Sequence, residues 1–517
     1  MRQGFQLLRE GRLAEAIRLS DQLLASDGNS AEVLSFDCEV RLAAGDAEAA
    51  LRSIDAAICA AGDQAELLTK KARILLQLRR RTEARRVAAE AATAAGDDGR
   101  ALWAVGRVYG DCNDPLHALD IYERALVTDR GNLGLRFDLA AIQFFAGDFA
   151  SAETTLDKLI ADAPRIGHAF YLRSTLRRQT DACSHVSELR TRLRAGFADE
   201  AEHAACFYAL AKELEDLGHD DSSFAALSEG ARRKRGTLRY AAADERKSID
   251  GIRAAYTAEV MQSATTGHPD RGAIFVVGMP RTGTTLMERT LGRHSAVCSA
   301  GELLDFGRIL GAAARASQVR DPDKTMIEAS LALDFAALGR DYMRGAREAA
   351  HGSRVFVDKM PVNFLYCGLI KKALPNARLI HLVRDPMDSC YAVYKTLFHQ
   401  AYHFSYDLDE LADYYATYRR LMQHWHEVMP GMILDVQYEE LVTDLERQVR
   451  RILDWCGLDW EASVLNPSQN DQPSITASAA QVRETVYTSS MQKWRRHEAG
   501  LASLRTRLMA AGIVATD

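Results

Sequence analysis

A chain of 517 residues, 47% hydrophobic and 26% charged, is long enough for about three domains of ordinary size. Its net charge of −6 excludes a global attraction to nucleic acid or to an acidic membrane surface. Nine scattered cysteines without a Cys-x-x-Cys pair exclude a cysteine zinc site and a disulfide framework, and fit a reducing compartment. The opening M-R-Q-G-F-Q-L-L-R-E-G places charge where a signal peptide needs an apolar core, and no stretch approaches a membrane span. The expectation is a soluble, cytoplasmic protein with no membrane partner.

The N-terminal half repeats. Ala16, Ala50, Ala84, Ala118 and Ala152 fall 34 residues apart, and five residues before each stands a turn position: Gly11, Gly45, Arg79, Asn113 and Gly147. A small residue at a fixed place lets paired helices approach closely, and a period of 34 is that of a tetratricopeptide repeat. The expected domain is an α-helical solenoid over residues 1–262. Such a stack presents a surface for a protein or peptide, or for a second copy of the chain. The basic run Arg232, Arg233, Lys234 and Arg235 reads as a solvated helix end and not as a nucleic-acid contact. The turn-rich S-A-T-T-G-H-P-D-R-G marks the boundary, and the second domain is expected over 272–517.

From Ala273 short apolar runs alternate with helical patterns, the signature of a parallel α/β sheet. The strands expected are Ala273–Val277, Arg354–Val357, Arg378–Val383 and Met432–Val436. After the first comes Gly278-x-x-x-x-Gly283 and then Thr284-Thr285 opening a helix, so unpaired backbone N–H groups and the helix dipole face one spot. The spacing is that of a phosphate-binding P-loop, with Thr284 where a triphosphate loop has Lys and Arg281 supplying the cation. Asp385-Pro386 after the third expected strand is a helix start, which gives a second anion site beside Arg384. Arg281, Lys359, Arg384 and Tyr438 all fall at or just beyond strand ends, where open α/β sheets bind ligands. Two anion sites without the P-loop Lys point to a nucleotide phosphorylated at both ends of its ribose.

The loop G-M-P-R-T-G-T-T resembles the 5′-phosphosulfate loop of sulfotransferases, and L-V-R-D-P-M-D-S-C-Y resembles their 3′-phosphate motif. With Gly301-Glu302 and Asp358-Lys359-Met360-Pro361, the likeness is to the tyrosylprotein sulfotransferase-like branch, and the fusion to repeats is similar to a bacterial family of repeat-containing sulfotransferases. The resemblance spans roughly 273–496. It implies 3′-phosphoadenosine 5′-phosphosulfate as donor, held by Arg281, Thr282, Gly283, Thr284 and Thr285 at the phosphosulfate, by Arg384 at the 3′-phosphate, and by Tyr438 and Arg483 around the nucleotide. It implies Glu302 as catalytic base and Lys359, with Arg281, as stabilisers of charge on the transferred group. The family has Ser eight residues after the motif Arg; here that position is Ala392, and Ser389, one helical turn earlier, is the substitute expected.

Sulfuryl transfer asks for in-line positioning and charge stabilisation, which these cations supply without a metal. No metal is expected: His399 and His403 stand at i, i+4 and His424 and His426 follow, with no third ligand of suitable spacing, and His381 reads as a hydrogen-bonded core residue. Tyr391, Tyr394, Phe398 and Tyr402 read as core or as acceptor-pocket wall. The acceptor implied bears a hydroxyl, on a protein tyrosine or a small molecule. The alternatives are a P-loop enzyme using a nucleoside triphosphate and a repeat scaffold with an inactive sulfotransferase domain.

Overall fold

The computed structural model describes residues 1–263, 266–320, 325–470 and 490–515. The N-terminal half is helical, in pairs: Arg2–Arg9 with Leu13–Asp27, Ala31–Ala43 with Ala47–Ala61, Ala65–Gln77 with Arg81–Ala95, and Gly99–Asp111 with Pro115–Thr128, followed by Leu133–Ala146 and Phe149–Asp162. Each junction turns through a left-handed residue, with φ of 73° at Gly11, 81° at Gly45, 62° at Arg79, 58° at Asn113 and 90° at Gly147. The turn is kept even where Arg79 must bear the Cβ strain that Gly escapes, because the helix pair closes only that way. The five periodic alanines are wholly buried, since a larger side chain there would hold the helices apart. Asp46, Asp114 and Asp148 cap the helices that follow the turns. At the two equivalent positions held by arginine, Arg12 and Arg80 instead pair with Glu15 and Glu83 one turn on.

Residues 1–142, with a short stretch from Gly311, make one compact unit; the rest from Gln143 onward makes the other. The second unit therefore contains both the later helices and a five-stranded sheet. The strands are β1 (Ala273–Gly278), β2 (Val297–Gly301), β3 (Val355–Asp358), β4 (Arg378–Val383) and β5 (Ile433–Gln437). All pairs are parallel, in the order β2-β3-β1-β4-β5. β1 is buried along its whole length, as its unbroken apolar run requires of a central strand. Ile274, Val276, Ile380, Leu382 and Val436 cover one face with the helices Thr284–Leu291 and Leu445–Cys456. On the other, Phe275 meets Tyr342 and Phe306 meets Tyr342, with ring centroids 5.4 and 4.3 Å apart. The chain goes from β1 out to the edge strand β2, returns to β3 between them, then crosses to β4 and β5 on the other side. The order thus reverses between β1 and β4, which is where such sheets open a ligand crevice.

Four expected strands appear within one or two residues of their expected limits; β2 was not among them. It is short and carries Cys298 and Ser299 with only partial burial, so it lacks both the apolar run and the alternation that identify a strand. Among the described residues no helix is long and apolar enough to cross a membrane.

Within the second unit, the later helices Gly167–Thr175, Glu200–Asp216, Asp220–Gly236 and Ala242–Ala255 brace the segment after β4. Tyr171 Oη accepts from Leu397 N at 3.1 Å, and Tyr208 Oη donates to Tyr394 O at 3.1 Å. Arg235 makes a bidentate pair with Glu410, at 2.7 and 2.8 Å, and Arg246 binds Asp413. Glu215 accepts from Lys395 Nζ at 2.8 and 2.9 Å and from Tyr391 Oη at 3.1 Å. Burial alone would raise the Glu215 carboxyl, but the Lys395 ammonium outweighs it and holds the group down at about 2. A depressed carboxyl stabilises the fold above its unfolded value, so Glu215→Ala should cost about 2 kcal/mol near pH 7. The difference from the parent in urea midpoint should shrink as pH falls from about 4.5 towards 2.

Candidate active site

The loop between β1 and the helix Thr284–Leu291 is shaped by three left-handed residues, Gly278 (φ 147°), Arg281 (φ 67°) and Gly283 (φ 98°). Gly283 is the helix N-cap and offers no side-chain acceptor to the first-turn N–H groups. A Cβ on Gly283 would lie 2.5 Å from the Tyr438 ring, which packs on the loop. Thr282 Oγ1 donates to Met279 O at 2.7 Å and fastens the loop from within. Thr282, Thr284 and Thr285 are all buried.

Arg384, one residue past β4, reaches across the switch point. Its Nη1 donates to Arg281 O at 3.0 Å and its Nη2 to Ser490 O at 2.7 Å. The guanidinium lies 4.8 Å from the Tyr438 ring centroid, and Tyr438 Oη and Ser490 Oγ are 2.7 Å apart. Arg384 Nε is buried with no hydrogen-bond partner among the described residues. The helix Pro386–Tyr394 starts beside it, with Pro386 at its first position and the Asp385 side chain accepting from Asp388 N at 2.9 Å. Ser389 is fully buried and its hydroxyl faces Arg384 O at 3.4 Å. Ala392 is buried on the same helix. Arg483 lies outside the described residues.

Lys359, just after β3, has only 1% of its side chain exposed and binds the Glu302 carboxylate. Glu288 Oε2 stands 3.7 Å away on its other side. Glu302 follows β2 and is 38% exposed, so the pair runs from the interior to open solvent. Lys359 N donates to Gly301 O at 2.9 Å, and the β2–β3 pairing shifts register between Ser299 and Gly301, which lies opposite Asp358. That irregularity turns Glu302 towards Lys359. Burial works against the Lys359 ammonium, yet Glu302 and Glu288 hold it above its ordinary value. Burial raises the Glu288 carboxyl, against the pull of Lys359 and of Ser299 Oγ, which donates to it at 2.5 Å.

The structure thus brings Arg281, Thr282, Gly283, Thr284, Thr285, Arg384 and Tyr438 around the β1–β4 crevice, and Lys359 with Glu302 at the neighbouring strand ends. Glu288 was missed by sequence reasoning. The available signal was its place four residues after Thr284, on the buried face of a helix whose N-terminus carries the loop. Tyr171 was also missed: it is a repeat-region residue, and its buried phenol feels the Arg281 guanidinium.

Residues 273–462 match the model described as "Sulfotransferase family", and residues 113–173 match a tetratricopeptide repeat model. The chain carries a sulfotransferase-family domain. A tetratricopeptide repeat region precedes it. An uncharacterized protein of Aquifex aeolicus is 32% identical over 395 residues, 75% of this chain and 51% of that one. The protein-tyrosine sulfotransferase of Drosophila melanogaster is 27% identical over 248 residues, 43% of this chain and 46% of that one. The chain spans about half the length of these curated relatives. Among solved structures, the sulfotransferase domain of the Synechococcus PCC 7002 olefin synthase is 20% identical with a TM-score of 0.36, covering 50% of this chain and 98% of that one.

In the sulfotransferase domain, the residue before Lys359 carries a further electrostatic signature. Asp358 is completely buried; it accepts from Tyr342 Oη at 2.7 Å, Asn363 Nδ2 at 3.2 Å and Leu303 N at 3.4 Å. Burial, helped by the charge of Asp305, outweighs these donors and lifts its carboxyl from 3.8 to about 8. A raised carboxyl favours folding at low pH, and that contribution is lost as pH climbs from about 4 to about 8, by at most about 1.4 kcal/mol per pH unit. Thermal unfolding from pH 5 to 8 should show the parent losing stability relative to Asp358→Asn, whose side chain cannot ionise. Parallel curves for the two proteins would mean that Asp358 is ionised in the fold.

Proposed function

We propose that this chain transfers a sulfuryl group from 3′-phosphoadenosine 5′-phosphosulfate to a hydroxyl acceptor, with residues 272–517 as the catalytic domain and 1–262 as the repeat solenoid. The observation that carries the reading is the Lys359–Glu302 pair: a buried ammonium bonded to a carboxylate with 38% of its side chain exposed, beside a cationic helix-terminal loop. A buried cation stabilises charge strongly because little water screens it. A carboxylate at the mouth can take a proton from an incoming acceptor.

The donor suits the residues present. Arg384 Nε is buried without a partner among the described residues, and the loop has Thr284 in place of a triphosphate-binding Lys. In this reading Arg281, Thr282, Gly283, Thr284 and Thr285 hold the phosphosulfate. Arg384 and Tyr438 hold the 3′-phosphate end, joined by Arg483, and Ser389 supports that end through the turn at Arg384. The acceptor oxygen forms a bond to sulfur as the bond from sulfur to the 5′-phosphate oxygen breaks. Glu302 takes the acceptor proton, Lys359 and Arg281 stabilise the peripheral and leaving oxygens, and 3′,5′-adenosine bisphosphate departs. No metal takes part in these steps. The tyrosine named in the Drosophila relative makes a phenolic hydroxyl the first acceptor class to test. The repeat region would present that acceptor as part of a peptide or protein. A cytoplasmic location fits the free nucleotide donor.

Two variants separate binding from chemistry. Glu302→Gln should lower turnover about 10²- to 10⁴-fold while calorimetric binding of 3′,5′-adenosine bisphosphate stays intact. Arg384→Ala should abolish that binding. Parental turnover in Glu302→Gln would remove it as the base. Binding of ATP with magnesium but not of the bisphosphate would replace the sulfotransferase reading with a triphosphate-using one.

A further inference from the structure

On the β4–β5 side of the sheet, away from the Lys359–Glu302 pair, two histidines from distant parts of the sequence converge on one carboxylate. His381 on β4 places Nδ1 2.8 Å from Asp435 Oδ1 on β5. His426, near the end of the helix Leu408–Val428, places Nε2 3.0 Å from the same oxygen. The three prospective ligand atoms all lie within 4.8 Å of one another. His381 is buried, His426 is about one-third exposed and Asp435 about half, so the group runs from the sheet interior to a cavity of about 470 Å³.

We propose that His381, His426 and Asp435 form a binding site for a divalent transition-metal ion of the zinc class, with open coordination positions facing this cavity. Ligand bonds of about 2.0–2.2 Å require neighbouring ligand atoms to stand about 3 Å apart, which the two imidazole–carboxylate separations already satisfy. Two imidazoles and one carboxylate are a borderline-soft donor set, suited to zinc, cobalt or nickel and not to magnesium or calcium. The outer shell is also in place. His381 Nε2 is hydrogen-bonded to Tyr418 Oη, and a hydroxyl can donate or accept, so it holds the ring in whichever tautomer leaves Nδ1 free for the ion. Three protein ligands with solvent-facing positions leave room for water or an external ligand. Arg419 and Arg420 line the same cavity; their charge opposes a bare cation and favours an anion as the remaining ligand.

Tyr418 ties the site to the rest of the domain, because its ring packs edge-on against Phe364 and Tyr415. The proposed ion is thus structural, joining β4, β5 and the helix Leu408–Val428, and takes no part in sulfuryl transfer.

The test uses the full chain without a histidine tag, titrated with Co²⁺ and then Zn²⁺ in metal-free buffer. One Co²⁺ per chain should bind with a visible ligand-field spectrum and be displaced by Zn²⁺. His426→Ala and Asp435→Asn should each weaken uptake about tenfold or more. His426 is a surface-facing helix residue, and its removal leaves the core intact. A His399→Ala/His403→Ala double variant should bind as the parent does. Failure of the parent to take up one equivalent, or equal uptake by His426→Ala, would overturn the proposal and leave the three residues as a hydrogen-bonded cluster. Neither outcome depends on sulfotransferase activity, so the two readings stand or fall separately.

Discussion

Lys359 is an ammonium group almost entirely withdrawn from water, and the architecture around it follows from the need to compensate that charge. An unpaired ion in such a place costs several kcal/mol. Here Glu302 and Glu288 flank it. Two ionised carboxylates against one ammonium would only reverse the imbalance. Burial resolves this by pushing Glu288 towards its protonated form, while Glu302 keeps its access to solvent. The ammonium is thus hydrogen-bonded to Glu302 and faces Glu288 from 3.7 Å. The two carboxyl groups differ in access as well as in charge: Glu302 reaches solvent and Glu288 does not. The β2–β3 register is part of the same device, since the Lys359 N–H bond to Gly301 O and the shift after Ser299 set where Glu302 falls.

The later repeat-region helices add a second constraint. They reach the helix Pro386–Tyr394 and the segment beyond it through Glu215, Tyr208 and Tyr171. That helix begins beside Arg384 and ends where Tyr208 takes the carbonyl of Tyr394. Its two ends are therefore fixed by different parts of the chain, one by the crevice and one by the solenoid's continuation. A rigid element held at both ends transmits displacement, so movement of the later repeat helices would be felt at the turn carrying Arg384.

Much of this was legible in the sequence because the determining forces are local. The 34-residue spacing of Ala16 through Ala152 reports close helix approach, and the residues five positions earlier report left-handed turns; both leave a one-dimensional trace. The glycine loop, the central strand β1 and the Asp385-Pro386 helix start are equally local, being stretches whose conformation is written in their own residues. What escaped is long-range. β2 is a strand because β3 pairs with it, not because of its own composition. Glu288 matters because Lys359, far along the chain, closes on it. His381, His426 and Asp435 come together only through the β4–β5 register and the packing of one helix, whereas the i, i+4 pair His399 and His403 drew attention by spacing alone.

Arg384 shows how few residues hold the β1–β4 side of the sheet together. Its guanidinium bonds the carbonyl of Arg281 and so braces a left-handed, non-glycine residue whose conformation costs of order 1 kcal/mol. Its other arm holds Ser490 O, at the start of a returning segment. The same helix start anchors that segment again: Asp388 accepts from Gln492 N at 2.5 Å and from Trp494 N at 3.4 Å. Burial raises the Asp388 carboxyl, but these two N–H groups and Arg384 act to keep it ionised. One helical turn, Arg384 to Asp388, thus grips the glycine loop with its guanidinium and the returning segment with its carboxyl group. An anionic group entering beside Arg384 must compete with the two carbonyls for its N–H groups, while Nε is already free of such competition among the described residues. The seating of the loop is consequently coupled to that of the returning segment, because both share one guanidinium.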